Sequence, residues 1–136
     1  MSDLVDTNVL SELRRRTPDP AVARWFADRP AGTLDLSVLT LGALRKGVER
    51  LADPARRLAL LDWLETDLPA FFAGRVLAVD AAVADRWGHL QARAGRPLPA
   101  VDSLLAATAL HHGLILVTRN VRDVAHLGAQ VLNPWE

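Results

Sequence analysis

Three aspartates of this 136-residue chain stand where an α/β protein can place its chemistry. Asp6 closes the apolar run Leu4-Val5, and Asp102 lies at the start of a helical stretch. Asp123 follows the apolar run ending at Val117 and could be brought back by a turn through Arg119 and Asn120. Open parallel sheets carry their sites at the carboxyl ends of strands, and the free N–H groups of a helix start favour and orient an anion. Three carboxylates drawn from distant segments repel one another unless a dication joins them. Mg²⁺ and Mn²⁺ accept such an oxygen-rich shell, retain waters and can turn one of them on a phosphodiester. On spacing alone, each acid also reads as an ordinary cap or solvated loop residue.

Thr7, Asn8, Ser11, Thr118 and Asn120 are candidates to hold a carboxylate or an outer water, although Thr7, Thr118 and Asn120 serve equally well as partners for strand-end backbone. Glu12, one turn from Asn8, adds either an outer carboxylate or a solvent-facing charge. Arg119 is placed to meet a phosphate oxygen. Lys plus Arg and Asp plus Glu number 16 each, so a nucleic-acid partner must be met by a local basic patch. The strongest such features are Arg14-Arg15-Arg16 and Arg45-Lys46, which otherwise read as solvated faces. There are four Trp and no Tyr. Base stacking would therefore fall to Trp25, Trp63, Trp87 or Trp135, for most of which packing is the ordinary role. The absence of cysteine excludes a disulfide scaffold, a thiolate zinc site and a cysteine nucleophile. His89 and His126 have no partner at metal-ligand spacing, and the adjacent His111 and His112 point in different helical directions and make no shared site.

Positioning these residues requires strands alternating with helices. Residues 4–5, 33–37, 76–79, 114–117 and 131–132 read as strands. Helical periodicity is weak through Val9, Leu10 and Leu13, then clear after Asp19-Pro20 and through 38–51, 81–93 and 101–111. Asp53-Pro54 opens a long helical stretch that Pro69 ends or kinks. Residues 120–126 read as a short turn or helix. Buried apolar runs alternating with helices predict an α/β fold, a three-layer α/β/α domain with a mainly parallel central sheet spanning 1–136. The first residues do not resemble a secretory signal and no apolar run is long enough to cross a bilayer. A cytoplasmic protein without a membrane partner is expected.

The chain resembles the PIN-domain family, and within it the VapC and FitB-like toxins of bacterial toxin–antitoxin pairs. The resemblance rests on Val5-Asp6-Thr7-Asn8-Val9-Leu10-Ser11-Glu12, on Leu36 through Gly47, on Val101-Asp102-Ser103-Leu104-Leu105-Ala106-Ala107-Thr108-Ala109, on Leu116-Val117-Thr118-Arg119-Asn120-Val121-Arg122-Asp123 and on the ending Asn133-Pro134-Trp135-Glu136. It implies a metal-dependent endoribonuclease, using Mg²⁺ or Mn²⁺, neutralised by a VapB-like antitoxin and built as a homodimer. The metal-binding acids it implies fall on Asp6, position 43, Asp102 and Asp123. Position 43 departs from the pattern: the family has Glu, and this chain has Ala43. Alanine preserves the helix and supplies no oxygen. It reads either as a deliberate substitution that spares the host making the protein or as natural divergence, the close match around it favouring the first. Both imply weakened metal occupancy and reduced hydrolysis. Arg14, Arg15, Arg45, Lys46 and Arg119 become candidates for RNA or antitoxin contact.

Other acid-bearing α/β folds fit poorly. A haloacid-dehalogenase-type phosphatase needs aspartates at i and i+2, whereas Asp3 and Asp6 would face opposite sides of a strand. A receiver domain needs a lysine where Arg119 stands, and a dinucleotide-binding domain needs a glycine-rich loop after the first strand. The remaining alternative is an inactive module of the same fold that binds antitoxin or RNA without cutting, which Ala43 favours.

Overall fold

The computed structural model describes residues 2–136. Strand β1 (Asp3–Val5) has three residues, all buried, and lies in the middle of the sheet. Beside it run β2 (Leu34–Ser37) and β4 (Ile115–Val117), with β3 (Val76–Leu77) and β5 (Val131–Leu132) outside them, in the order β3-β2-β1-β4-β5. All four pairings are parallel. Parallel neighbours require crossover connections, so the helices must cover the two faces.

The two-residue period of the strands decides which side chain meets which layer. Val5, Leu34, Leu36 and Val117 point to one face. There they pack with residues of α1 (Thr7–Leu13), α2 (Pro20–Asp28), α3 (Val38–Glu49) and α5 (Leu68–Phe71), among them Val9, Val22, Leu44 and Leu68. Leu4 and Leu116 point the other way, onto Leu105, Ala106 and Ala109 of α7 (Ala100–His112) and Val124 of α8 (Val121–Val124). Helix α6 (Ala81–Arg93) packs on α7 and contributes Leu90 to the same layer. The result is the expected α/β/α arrangement.

Two local expectations change. Strand β3 is shorter than the apolar run 76–79, ending at Leu77. The stretch opened by Asp53-Pro54 is not one helix. Helix α4 (Pro54–Asp62) passes into a π-helical turn, Trp63–Asp67, and α5 follows. Pro69 lies in the first turn of α5, where its missing N–H costs nothing. The wider turn before it relieves the clash its ring would make with a preceding carbonyl.

This topology also fixes where a site belongs. From β1 the chain builds outward to β2 and β3, then returns to the opposite side for β4 and β5. The sheet order therefore reverses between β1 and β4, and ligands of open α/β sheets enter beyond the carboxyl ends of the strands at such a reversal.

Candidate functional site

Asp6 is the first residue beyond β1 and caps α1. Its Oδ1 accepts from the backbone N–H of Thr7 at 2.6 Å, and its own N–H donates to the Val117 carbonyl at 3.0 Å, across the β1/β4 reversal. Thr118, the first residue beyond β4, donates its hydroxyl to Asp6 Oδ2 at 2.7 Å. That hydroxyl also accepts from Asn8 Nδ2 at 3.2 Å and from the Asn120 N–H at 3.0 Å, so its single donor and both lone pairs are used. Asn8 Nδ2 reaches Asp6 Oδ2 at 3.4 Å, while its Oδ1 accepts from the Arg119 N–H at 3.3 Å. Two strand ends are thereby tied around one carboxylate. Every group that holds it is neutral.

Asp102 is delivered by α7. That helix starts at Pro99 without a side-chain cap, and Asp102 supplies a negative charge in its first turn. The neighbouring Ser103 is buried. Its hydroxyl donates to the Pro99 carbonyl at 2.6 Å and accepts from Trp87 Nε1 at 2.9 Å and Gln91 Nε2 at 3.3 Å, which locks the start of α7 to α6. Trp87 therefore positions Asp102 indirectly.

Asp6 and Asp102 line one open cleft of about 510 Å³, together with Thr7, Asn8, Asn120 and Arg119. Ser11, Glu12, Arg15, Val101 and Trp135 complete its walls. Burial pushes the Asp102 carboxyl above the usual aspartate range, and the negative charges of Asp6 and Asp123 push it the same way. Glu12 is held below its ordinary range, first by the Asp19 N–H at 2.9 Å and then by Arg15. Neither Asp6 nor Asp102 has an ion pair among the described residues.

Asp123 is exposed on α8 and lines another hollow with Arg96, Pro97 and Arg122, and its charge, like that of Asp6, bears on Asp102. Among the described residues no group of three or more His, Asp or Glu is gathered closely enough to hold a metal ion. Ala43, half-buried on α3, faces a neighbouring hollow with Leu44, Val48 and Trp63. Ser11 forms a wall common to that hollow and the acidic cleft. Thr7 and Asn120 act on the acid network through their backbone N–H groups rather than their side chains.

The basic candidates also separate. Arg119 and Arg15 enter the cleft, Arg15 already bonded to Glu12. Arg14 lies 5.2 Å from the Trp63 ring centroid, Arg45 is engaged by Glu49 and Glu65, and Lys46 is exposed. The rings of His111 and His112 meet edge to face at 4.8 Å, closer than adjacent helical positions suggest. Ser11 stands in the cleft as a candidate outer partner and Trp135 as a candidate stacking ring, while Val101 lines it without having been singled out for the site. The motif that carries Asp102 was the available signal.

The carboxylates of Asp6 and Asp102 are oxygen donors that suit Mg²⁺, which keeps several waters and commonly takes one or two protein carboxylates.

A family model for the PIN domain matches residues 4–128. The chain is similar to VapC ribonuclease Y4jK of Sinorhizobium fredii, with 35% identity over 136 residues that cover 98% of this chain and 97% of that protein. The solved structure of FitAcB from Neisseria gonorrhoeae matches with a TM-score of 0.92 and 33% identity, covering 98% of each chain. A toxin-antitoxin complex from Klebsiella pneumoniae contains a chain that matches with a TM-score of 0.69 and 27% identity, covering 99% of each.

Proposed function

The chain belongs to the PIN-domain family, among its VapC- and FitB-like toxins, and we propose that it is an RNA phosphodiesterase of reduced activity, dependent on a divalent cation held by Asp6 and Asp102. The observation that carries this reading is that Asp6 and Asp102 share one cleft, Asp6 held by neutral donors and neither acid in an ion pair among the described residues. Burial and like charge raise the cost of ionising Asp102, and an incoming dication would offset that cost.

Bound there, Mg²⁺ or Mn²⁺ would offset charge on a phosphodiester and acidify the attacking water. Thr118, Asn8 and the Thr7 N–H hold Asp6 in one orientation, and the α6–α7 lock holds Asp102. Arg119 offers the scissile strand a positive contact. Asp123 supplies negative potential from outside the cleft. A glutamate at position 43 would begin one wall away from these acids, beyond Ser11, and Ala43 leaves that contribution out.

In a VapC-like assembly, a VapB-like antitoxin would cover this side of the molecule, with Arg14 and Lys46 near its path, and two copies would form a homodimer. The restoring substitution tests the enzymatic reading. Ala43→Glu should raise Mg²⁺-dependent RNA cleavage at least about a hundredfold over the parent chain, since a direct ligand should matter more than outer partners worth 10–100-fold. Equal, negligible cleavage by both would favour the second reading, a binding module for RNA or antitoxin, to which Ala43 and the lack of a third close acid lend weight.

A further inference from the structure

The four tryptophans have different surroundings. Trp25 and Trp63 stack with Arg29 and Arg14 away from the acids, and Trp87 donates its N–H to Ser103. Trp135 alone among the four lines the acidic cleft. Its indole packs partly against the core face of α1 to α5. The backbone beneath it is fixed: Trp135 N–H donates to Asn133 Oδ1 at 2.9 Å, Pro134 is buried, and the Thr118 N–H donates to the Leu132 carbonyl at 3.0 Å. One strand end therefore carries the residue that orients Asp6, and its neighbour in the sheet carries the ring.

Over that ring lies Arg119, its guanidinium carbon 5.0 Å from the centroid. Arg119 is exposed and has no ion pair among the described residues, whereas the other arginine of the cleft, Arg15, is bonded to Glu12. The cleft thus has an acidic side suited to a cation and an aromatic side bearing an uncommitted positive charge. A nucleotide has matching parts: a flat base with two π faces and an anionic phosphate. Aromatic rings backed by arginine accept bases of any identity, provided that the base is not already stacked in a duplex.

We propose that Trp135 and Arg119 form a stacking subsite for one unpaired base of RNA, next to the phosphate that meets Asp6 and Asp102. This rests on the reading of the cleft as one that takes an RNA phosphodiester, and it specifies single-stranded or looped RNA as the substrate class. The base lies against the Trp135 ring, either displacing the Arg119 guanidinium or sandwiched beneath it.

The test is binding of a fluorescein-labelled, phosphorothioate-linked oligoadenylate octamer to the intact protein in Mg²⁺, followed by polarisation. Trp135→Ala should weaken binding about tenfold and Trp135→Phe should recover most of it. The same octamer paired with its complement, or carrying abasic sites throughout, should bind the parent chain about tenfold more weakly. Binding by Trp135→Ala equal to that of the parent overturns the subsite, as does indifference to the abasic or paired forms. If Trp135→Ala fails to fold, the abasic comparison on the parent chain decides alone.

Activity separates this inference from the hydrolytic reading. An Ala43→Glu protein that cuts RNA equally fast with and without Trp135→Ala overturns the subsite and leaves hydrolysis standing. An Ala43→Glu protein that shows the base-dependent binding and cuts nothing supports the subsite and removes the hydrolytic reading.

Discussion

The two ends of the parallel sheet both carry buried or half-buried acids, and they are treated in opposite ways. At the amino edge, Asp3 is wholly buried and meets the Arg29 guanidinium at 2.9 Å, while Asp35 has Arg75 and His112 as its nearest positive influences. Burial raises both carboxyls and the basic groups pull each part of the way back. At the carboxyl edge, Asp6 is held by neutral donors, and every influence on Asp102 raises it. An acid whose cation is built in has its charge already engaged. An acid oriented by N–H and O–H groups keeps its charge for something that arrives later.

That contrast gives a series of tests. The largest effect falls on Asp6: placed in an Ala43→Glu background, Asp6→Asn should lower Mg²⁺-dependent cleavage at least about a hundredfold, measured at saturating metal. Removing the amino-edge cation should act on stability instead. Arg29→Ala leaves Asp3 buried without its partner, and Asp3 Oδ1 already lacks a hydrogen bond among the described residues. A loss of about 2 kcal/mol in urea unfolding is expected, below the usual range for breaking a buried pair because the Arg29 side chain is itself 34% exposed. Its metal affinity should not change. If Arg29→Ala and Asp6→Asn weaken metal binding alike, the two edges are not distinct.

Smaller effects refine the carboxyl edge. Thr118→Val, again with Ala43→Glu, should cost about tenfold in cleavage, because Asp6 loses a donor and Asn8 and Asn120 lose their shared acceptor. Asp102 gives the mildest and most specific signal. Its carboxyl is raised in the folded protein, so its favourable contribution is complete below the unfolded aspartate value of about 3.8 and is lost as pH rises through the folded value. In EDTA at neutral pH the ionised group is therefore destabilising. Asp102→Asn should raise Tm by a few degrees there, and the advantage should vanish on acidification.

Much of this was legible in the sequence for identifiable reasons. Short apolar runs between helical stretches marked all five strands, and the stretch 81–93 coincides with α6 because Asp80 caps it and Arg93 ends its amphipathic pattern. Asp6 was readable because it directly follows a buried strand. Asp123 was harder, since which side of the four-residue helix α8 faces the cleft depends on packing, and the structure puts Asn120 in the cleft and Asp123 in another hollow. The π-helical turn at Trp63–Asp67 was hidden because Pro69 looks the same in sequence whether it ends a helix or restarts one. Periodicity also gave no hint that Glu12 would be held by a backbone N–H seven residues on.

The most direct measurement is Mn²⁺ titration of the parent chain, Asp6→Asn, Asp102→Asn and Arg29→Ala, followed by electron paramagnetic resonance of the free ion, with Mg²⁺ as competitor. Saturable binding that Mg²⁺ displaces, weakened or lost in Asp6→Asn and Asp102→Asn but retained in Arg29→Ala, is the predicted result. Mn²⁺ bound by Asp6→Asn as tightly as by the parent chain would contradict the assignment of the carboxyl-edge acids as the cation site.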